Sequence, residues 1–571
     1  MKNVDIAKIF YDVAIYLEMK DENIFKIRAY DKAALTVESL PEDIEIIYKR
    51  GGLEALQELP GIGKAIAEKI EELLTTGRLK FYEELKKEIP VDIDGLRRIE
   101  GMGPKKILIL YKNLNVKNIE DLEKVAKAGK IRDLDNFGEK SEQKILKGIE
   151  FVKKSSGRYL IGHIWNLVID IESRLKKLPY VKQAIVAGSF RRRKETIGDI
   201  DVLVTSDQPE KVMDFFVKMP EVMDVFGKGK TKSTVILKNG IDVDLRVVPE
   251  RSYGAALNYF TGSKEHNVAL RRIAIQKGLK LSEYGLFKES KFIADKKEED
   301  VYKALGLKYI EPELRENNGE IEASRSGKLP DLIPYKSLKG DLQTQTTWTD
   351  GSSTIEEMAL YGKNYGLEYI VITDHTKSLA MTGGLNEEKL EKQGKEIEKI
   401  NKRLNSFTIL RGAEVNIMKD GKLDIKDSCL KDLDVVGASV HSNFNMTREE
   451  MTKRVINAME NENVDIIFHP TGRLIQKRKA IELDIEKIID AAKRTGTILE
   501  INGQPERLDL KDEHIRMAVK AGIKLCIDSD AHDKLQFPLL ELGIAQARRG
   551  WTESKDVINT LPMKQMLKHL K

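Results

Sequence analysis

The chain has 571 residues, 41% of them hydrophobic and 33% charged, with a net charge of +5. At roughly 100–200 residues per domain, that length predicts about three to five domains and excludes a single compact module. The apolar content excludes a disordered polyelectrolyte, and two cysteines, Cys429 and Cys526, exclude a disulfide framework or a cysteine-rich zinc fold. No apolar run reaches the ~18 residues of a membrane span, and the first residues, MKNVDIAKIF, lack an apolar signal core. A cytoplasmic protein with no membrane partner is expected.

Charge and histidine are unevenly placed. Residues 101–200 carry 22 Lys and Arg against 12 Asp and Glu, a basic block suited to a polyanion. Six of the eight histidines follow residue 370, so the two ends of the chain are expected to perform different chemistry.

From residue 1 to about 155 the periodicity is helical, as in VDIAKIFYDVAIYLEM. LPGIGKAIAEKI at 59–70 and IEGMGPKKILIL at 99–110 repeat one pattern, and LDNFGEKSEQKI at 134–145 is a weaker third copy that keeps Gly138. Gly61, Gly63 and Lys64 in the first copy, and Gly101, Gly103 and Lys105 in the second, set a glycine turn ahead of a lysine-bearing helix. Such turns expose backbone N–H groups at a helix N-terminus, where phosphate binds. This helix-hairpin-helix pattern predicts contact with a nucleic-acid backbone without sequence preference.

After residue 180 short β-branched runs of period two begin: QAIVAGS, GDIDVLVT, STVILK and GIDVDLRVV. Asp199 and Asp201 stand two apart on one strand, so both carboxylates project from one face. Asp244 lies on a later strand able to pair nearby, with Asp242 as an auxiliary carboxylate on its face. Three carboxylates suit two Mg²⁺ ions, which take oxygen ligands and complete their shells with substrate phosphates. Gly188 and Ser189 offer backbone N–H groups and a hydroxyl to a phosphate, and Arg192 a charge for the leaving pyrophosphate. The chemistry predicted is in-line nucleotidyl transfer.

GSFRRRKETIGDIDVLV, then VDLRVVP, then YFTGSKEHN resembles the family-X DNA polymerases, polymerase beta among them, over residues 1 to about 318. The resemblance implies that Asp199, Asp201 and Asp244 form the metal-binding triad and that Gly188, Ser189, Arg192 and Gly198 contact the nucleoside triphosphate. It implies that Tyr259, Phe260 and Gly262 line the sugar pocket and that Asn267 and Arg271 touch the nascent pair. Lys264 stands where polymerase beta has an acidic residue. LPGIGKAIAEKI also matches the family's repair-lyase domain, which implies a Schiff-base role for Lys69 and a 5′-phosphate pocket at Lys26 and Tyr30. A lysine acts this way only as the neutral amine.

From residue 338 onward, strands such as YIVITDH, DVVGASVHS, VDIIFHP, TILEING and KLCIDSDAH alternate with helical patterns. That alternation predicts an α/β-barrel-like domain with its ligand-type residues at the strand C-terminal ends. Here the chain resembles the polymerase and histidinol phosphatase (PHP) family. The resemblance implies phosphoester hydrolysis with up to three Zn²⁺ or Mn²⁺ ions and, in family-X polymerases, a 3′–5′ exonuclease or 3′-end phosphatase. It pairs Glu414 with His441 and His469 at one metal and Asp350 with His375 and His532 at another, leaving Asp530 and Glu414 for a third. The opening motif should read D-L-H-x-H but reads Asp341-Leu342-Gln343-Thr344-Gln345. A neutral amide oxygen is a poor Zn²⁺ ligand, so fewer than three metals and a weakened activity are expected.

The fold class expected is multidomain, α+β and α/β. It comprises helical modules at 1–80 and 81–155, a nucleotidyltransferase palm at 156–250, a thumb at 251–318, a polar linker at 319–337 and a PHP domain at 338–571. The expected function is filling of short gaps in DNA repair by a monomer that takes gapped or nicked DNA and a dNTP. A nucleotidyltransferase acting on RNA ends, and a DNA-end-binding scaffold, are the alternatives.

Overall fold

A computed structural model of the chain describes residues 1–571 apart from Lys2, Pro41, Glu42, Arg98, Glu100, Gly101, Asn136, Ser156 and Asp295. It divides into two compact units, Met1–Ser156 with Gln476–Lys479, and Gly157–Ile475 with Ala480–Lys571. No helix among the described residues is long and apolar enough to cross a membrane.

The first unit is helical, from Asn3–Met19 to Glu139–Ser155, around one apolar core that includes Phe10, Leu17, Ile44, Ile70 and Leu110. Helix Lys64–Thr76 shows why: Ile66, Ala67, Ile70 and Leu73 recur on one face and are buried. Gly63 precedes its first turn and Gly77, in the left-handed region, stops it. Gly61 has φ +77°, and a Cβ there would stand 2.7 Å from the Lys32 side chain. In the second repeat Gly103 precedes helix Pro104–Leu114, whose proline sits in its first turn; Gly101 lies outside the described residues.

In the second unit a five-stranded mixed sheet runs in the order Val181–Val186, Asp199–Ser206, Asp242–Val248, Lys232–Leu237, Val222–Lys228. Asp199–Ser206 and Asp242–Val248 are parallel neighbours; the other pairings are antiparallel. Helices Tyr253–Thr261 and Lys264–Gln276 follow, then three short antiparallel strands and helix Glu298–Ala304.

Seven parallel strands then succeed one another from Gly340–Thr344 to Leu525–Asp528. A bridge from Thr344 to Ala531 joins the last to the first, so the sheet is a nearly closed barrel. Six of its seven strands are buried from end to end, as parallel strands covered on both faces must be; Thr408–Asn416 is half-buried only at Thr408 and Arg411.

Two features depart from the sequence reading. The stretch 319–337, expected to be a linker, contains helix Glu320–Ser326 with Glu320 and Ile321 buried. Its polar residues are polar for a reason other than solvent: Glu320 accepts a hydrogen bond from His266, 2.6 Å away, within the thumb. The barrel is also packed into the palm. Leu508 and Leu542 of the barrel belong to the palm's apolar core, and a Cβ on Gly162 of helix Ile161–Lys176 would stand 2.4 Å from Pro505.

All three tryptophans, Trp165, Trp348 and Trp551, lie in this second unit. Leu508→Ala is therefore expected to remove about 2–5 kcal/mol and to lower the denaturant midpoint of a single tryptophan-fluorescence transition. Two separate transitions would show that palm and barrel do not share a core.

Candidate active sites

The palm site is set by strand register. Asp201 is the direct neighbour of Asp244, and Asp199 of Asp242, across the parallel pair. Burial and the charges of Asp199 and Asp244 push the Asp201 carboxyl up to about 6. Asp244 accepts a 2.5 Å hydrogen bond from Thr234 and pairs with Lys232 at 3.1 Å. Gly188 has φ +60°, and a Cβ there would lie 2.5 Å from an Asp201 oxygen. No larger residue brings the loop this close to the carboxylate.

Gly188–Arg191 forms one helical turn after strand Val181–Val186. Its residues are anchored by their side chains. Arg191 pairs with Glu298 at 2.6 Å, while Arg192 donates to the Thr261 carbonyl and pairs with Glu316 at 3.1 Å. Ser189 follows Gly188 in that turn, and Gly198 lies just before Asp199, its Cβ position 3.1 Å from Arg158. Gly262, at φ +72°, lies beneath Arg192: a Cβ there would come 3.0 Å from the guanidinium.

Tyr259 and Phe260 meet edge to face, 5.1 Å apart, and Arg246 stacks over Phe260. Asn267 donates to the Tyr259 carbonyl at 2.7 Å, and together with Arg271 and Asn258 they line a small pocket. The nucleotide residues inferred from sequence are thus gathered at one edge of the palm and thumb.

In the first unit, Lys26 and Lys69 both stand over the ring of Phe81, at 5.6 and 5.8 Å. Tyr30 stacks on the same ring but is only 4% exposed, and burial pushes its hydroxyl up to about 12. Its place is in the core rather than in an open phosphate pocket, because Phe10 covers its other side. Phe81 was missed from the sequence; nothing in its local pattern separates it from an ordinary core aromatic. Lys105 is exposed and paired with Asp21 at 2.7 Å, while Lys64 is exposed at the start of its helix.

The barrel site gathers at the strand ends. Two groups of three among the described residues place their ligand atoms within 4.8 Å of one another: Asp350, His375 and His532, and His375, Glu414 and His441. His375 is therefore shared, where the family comparison assigned it to one metal. His469 stands 2.8 Å from Glu414 but outside both groups, and Asp530 lies 3.8 Å from His532. Burial would raise the Glu414 carboxyl, yet His375, His441 and His469 around it hold it well below the usual range. Buried Nδ1 of His375 has no hydrogen-bond partner and stands 3.3 Å from Glu414, while His469 turns its Nε2 to Glu414 and leaves its Nδ1 unpaired.

Gln343 and Gln345 are fully buried in this cluster. Gln345 donates to Glu414 at 3.0 Å, and Gln343 accepts from Asn502, which also donates to Asp530. Each glutamine keeps one buried polar atom unpaired. Residues missed from sequence form the surrounding layer. Asn416 bonds the His441 ring at 2.8 Å and Ser439 donates to Glu414 at 2.6 Å. Their position at strand ends beside recognised ligands was the available signal. Arg473, in the barrel, pairs with Glu195 of the palm at 2.6 Å.

With this geometry, the comparisons with known proteins agree. Residues 164–274 match the DNA polymerase beta palm and residues 256–316 the DNA polymerase beta thumb. Residues 1–79 match a helix-hairpin-helix domain, and 93–150 a SAM-like helix-hairpin-helix tandem. The chain is 37% identical over 575 residues to the DNA polymerase/3′-5′ exonuclease PolX of Bacillus subtilis (strain 168), covering 100% of both chains. A probable phosphatase of Thermoanaerobacter sp. (strain X514) is 33% identical over 218 residues, 36% of this chain and 84% of that one. DNA polymerase lambda of Arabidopsis thaliana is 27% identical over 349 residues, 55% of this chain and 62% of its own. A palm with opposed aspartates, a thumb that anchors the Gly188 turn and a barrel that clusters histidines with carboxylates thus occur together along one full-length match: the chain belongs to family X of the DNA polymerases, nucleotidyltransferases that here carry a C-terminal PHP domain.

Proposed function

We propose that the protein fills short gaps in double-stranded DNA by adding a dNTP to a 3′-hydroxyl, acting as a monomer in the repair of DNA. The observation that carries this reading is the register pairing of Asp201 with Asp244, beside Asp199 and against the Gly188 turn. Like charges opposed in a buried strand pair favour cations, and three carboxylates with no sulfur or imidazole suit two Mg²⁺. Bound there, the ions would stabilise charge developing on the attacking and leaving oxygens. Gly188, Ser189, Arg192 and Gly198 hold the triphosphate. Tyr259, Phe260 and Gly262 close on the sugar so that a 2′-hydroxyl is excluded, and Asn267 and Arg271 meet the new base pair. Asp201→Asn should lower primer extension roughly a thousandfold or more, since a lost metal ligand costs several kcal/mol in the transition state. DNA binding by gel shift should be unchanged. Near wild-type extension would remove the aspartates from the chemistry.

The helix-hairpin-helix turns at Gly61, Gly63 and Lys64, and at Gly101, Gly103 and Lys105, grip the DNA backbone. Lys26 takes a 5′-phosphate and Lys69 acts in lyase chemistry; their meeting on Phe81 supports this reading. Backbone contact releases counterions, so affinity for gapped DNA should fall about as the power of salt set by the number of phosphates neutralised. Fluorescence anisotropy between low and high salt measures the slope; a flat profile would contradict backbone binding.

The barrel acts as a weakened 3′–5′ phosphoesterase. Its imidazoles and carboxylates suit Zn²⁺ or Mn²⁺, which would supply an acidified water for hydrolysis. The chain's own part is to orient the ligands through Asn416 and Ser439 and to hold the 3′ end at the open side of the cluster. The wild-type protein should carry fewer than three tightly bound metals. Gln343→His with Gln345→His should increase bound metal in elemental analysis and raise 3′–5′ cleavage while leaving primer extension unchanged. Three metals in the wild type, with cleavage unaltered by the double substitution, would show glutamine to be a sufficient ligand.

A further inference from the structure

The barrel reaches the palm's phosphate loop through one buried arginine. Arg549, at the end of helix Leu540–Arg549, is 2% exposed. One amino group of its guanidinium donates to the Arg192 backbone carbonyl at 3.0 Å and to Glu316 Oε1 at 3.2 Å. The other donates to Asp512, on helix Asp512–Ala521 of the barrel. The same Glu316 oxygen receives Arg192 at 3.1 Å, and Lys194 stands 3.9 Å from it. Three cations therefore share one carboxylate oxygen, which sits only partly open to solvent.

A carboxylate oxygen has a limited number of lone-pair directions, and charge given to one cation is withheld from another. We propose that Glu316 is an internal competitor for Arg192, and that Arg549 is the positioning residue that sets how tightly Glu316 holds it. In the free enzyme Arg192 is occupied by Glu316 and by the Thr261 carbonyl. A nucleoside triphosphate offers more negative charge than one carboxylate and draws the guanidinium away. Arg549 eases that exchange: it already neutralises Glu316 and, by holding the Arg192 carbonyl, keeps the loop in place while the side chain moves. Burial would raise the Glu316 carboxyl, but Arg549, Arg192 and Lys194 together hold it below its usual range. The barrel thus takes part in nucleotide binding although its own metal cluster lies elsewhere.

This inference rests on the reading that Arg192 meets the triphosphate, and the test separates the two. Single-nucleotide insertion on gapped DNA, with KM for dNTP and kcat measured separately, is run on the full-length chain. Arg192→Ala should raise KM; an unchanged KM would remove Arg192 from the triphosphate site and the inference with it. With Arg192 so confirmed, Glu316→Gln should lower KM roughly three- to tenfold at unchanged kcat, and a KM that stays level or rises overturns the competition. Arg549→Ala should raise KM, and adding Glu316→Gln to it should lower KM well below that of Arg549→Ala, leaving only the part lost with the hold on the Arg192 carbonyl. An arginine that only braced the fold would leave that double variant as impaired as Arg549→Ala, which would overturn its positioning role. Should Arg549→Ala fail to fold by tryptophan fluorescence, the same cycle is run with Arg549→Lys. There KM should rise by less and be restored equally by Glu316→Gln; no restoration overturns the role.

Discussion

Parallel pairing of Asp199–Ser206 with Asp242–Val248 forces two carboxylates, Asp201 and Asp244, to stand side by side with Asp199 close by. That arrangement is unfavourable, and burial together with the neighbouring carboxylates raises Asp201 to about 6. The neighbouring residues are chosen to tolerate it. Thr234 and Lys232, on the next strand, attend to Asp244. The missing side chain at Gly188 leaves room for Asp201 while letting the turn approach the carboxylate closely. A site that is electrostatically uncomfortable by itself is one that gains most from divalent cations and a phosphate bridge.

The loop that faces those carboxylates is held from three directions. Toward the thumb, Arg191 and Arg315 both pair with Glu298, whose carboxyl is lowered to about 2 although burial alone would raise it. Toward the palm helix, Arg193 stacks on Trp165. Toward the barrel, Glu195 takes Arg473 and Gln546, and Arg192 takes Arg549 through its carbonyl. Buried ion pairs of this kind add little to stability compared with apolar contacts, but breaking one partner is costly and the geometry is thereby specified. The loop's charged run RRRKE is a junction of three subdomains.

The barrel shows the opposite electrostatic situation. Glu414 is surrounded by three imidazoles and stays ionised, while Gln343 and Gln345 bring neutral amides into the same cluster. The amides fill volume and make some hydrogen bonds, but each leaves a buried polar atom unpaired. The opening strand therefore offers neutral amides where His375, Glu414 and His441 offer imidazoles and a carboxylate.

What the sequence by itself determined is what local periodicity encodes. A period of two places Asp199 and Asp201 on one face, Gly-x-Gly ahead of an amphipathic run announces the helical hairpins, and alternating strand and helix patterns announce the barrel. The two glutamines were equally plain, because a motif with altered letters needs no structure to notice. Tertiary structure alone decided which aspartate Asp244 opposes, since a slip along the strand would have paired it elsewhere. It alone decided that His375 is shared between two ligand groups and that Phe81 unites Lys26 and Lys69. The same holds for helix Glu320–Ser326 packing its Glu320 against His266, and for Arg549 meeting Glu316 across 233 residues. Those contacts depend on register and on packing between segments far apart in the chain, and neither leaves a periodic trace in the residues that make them.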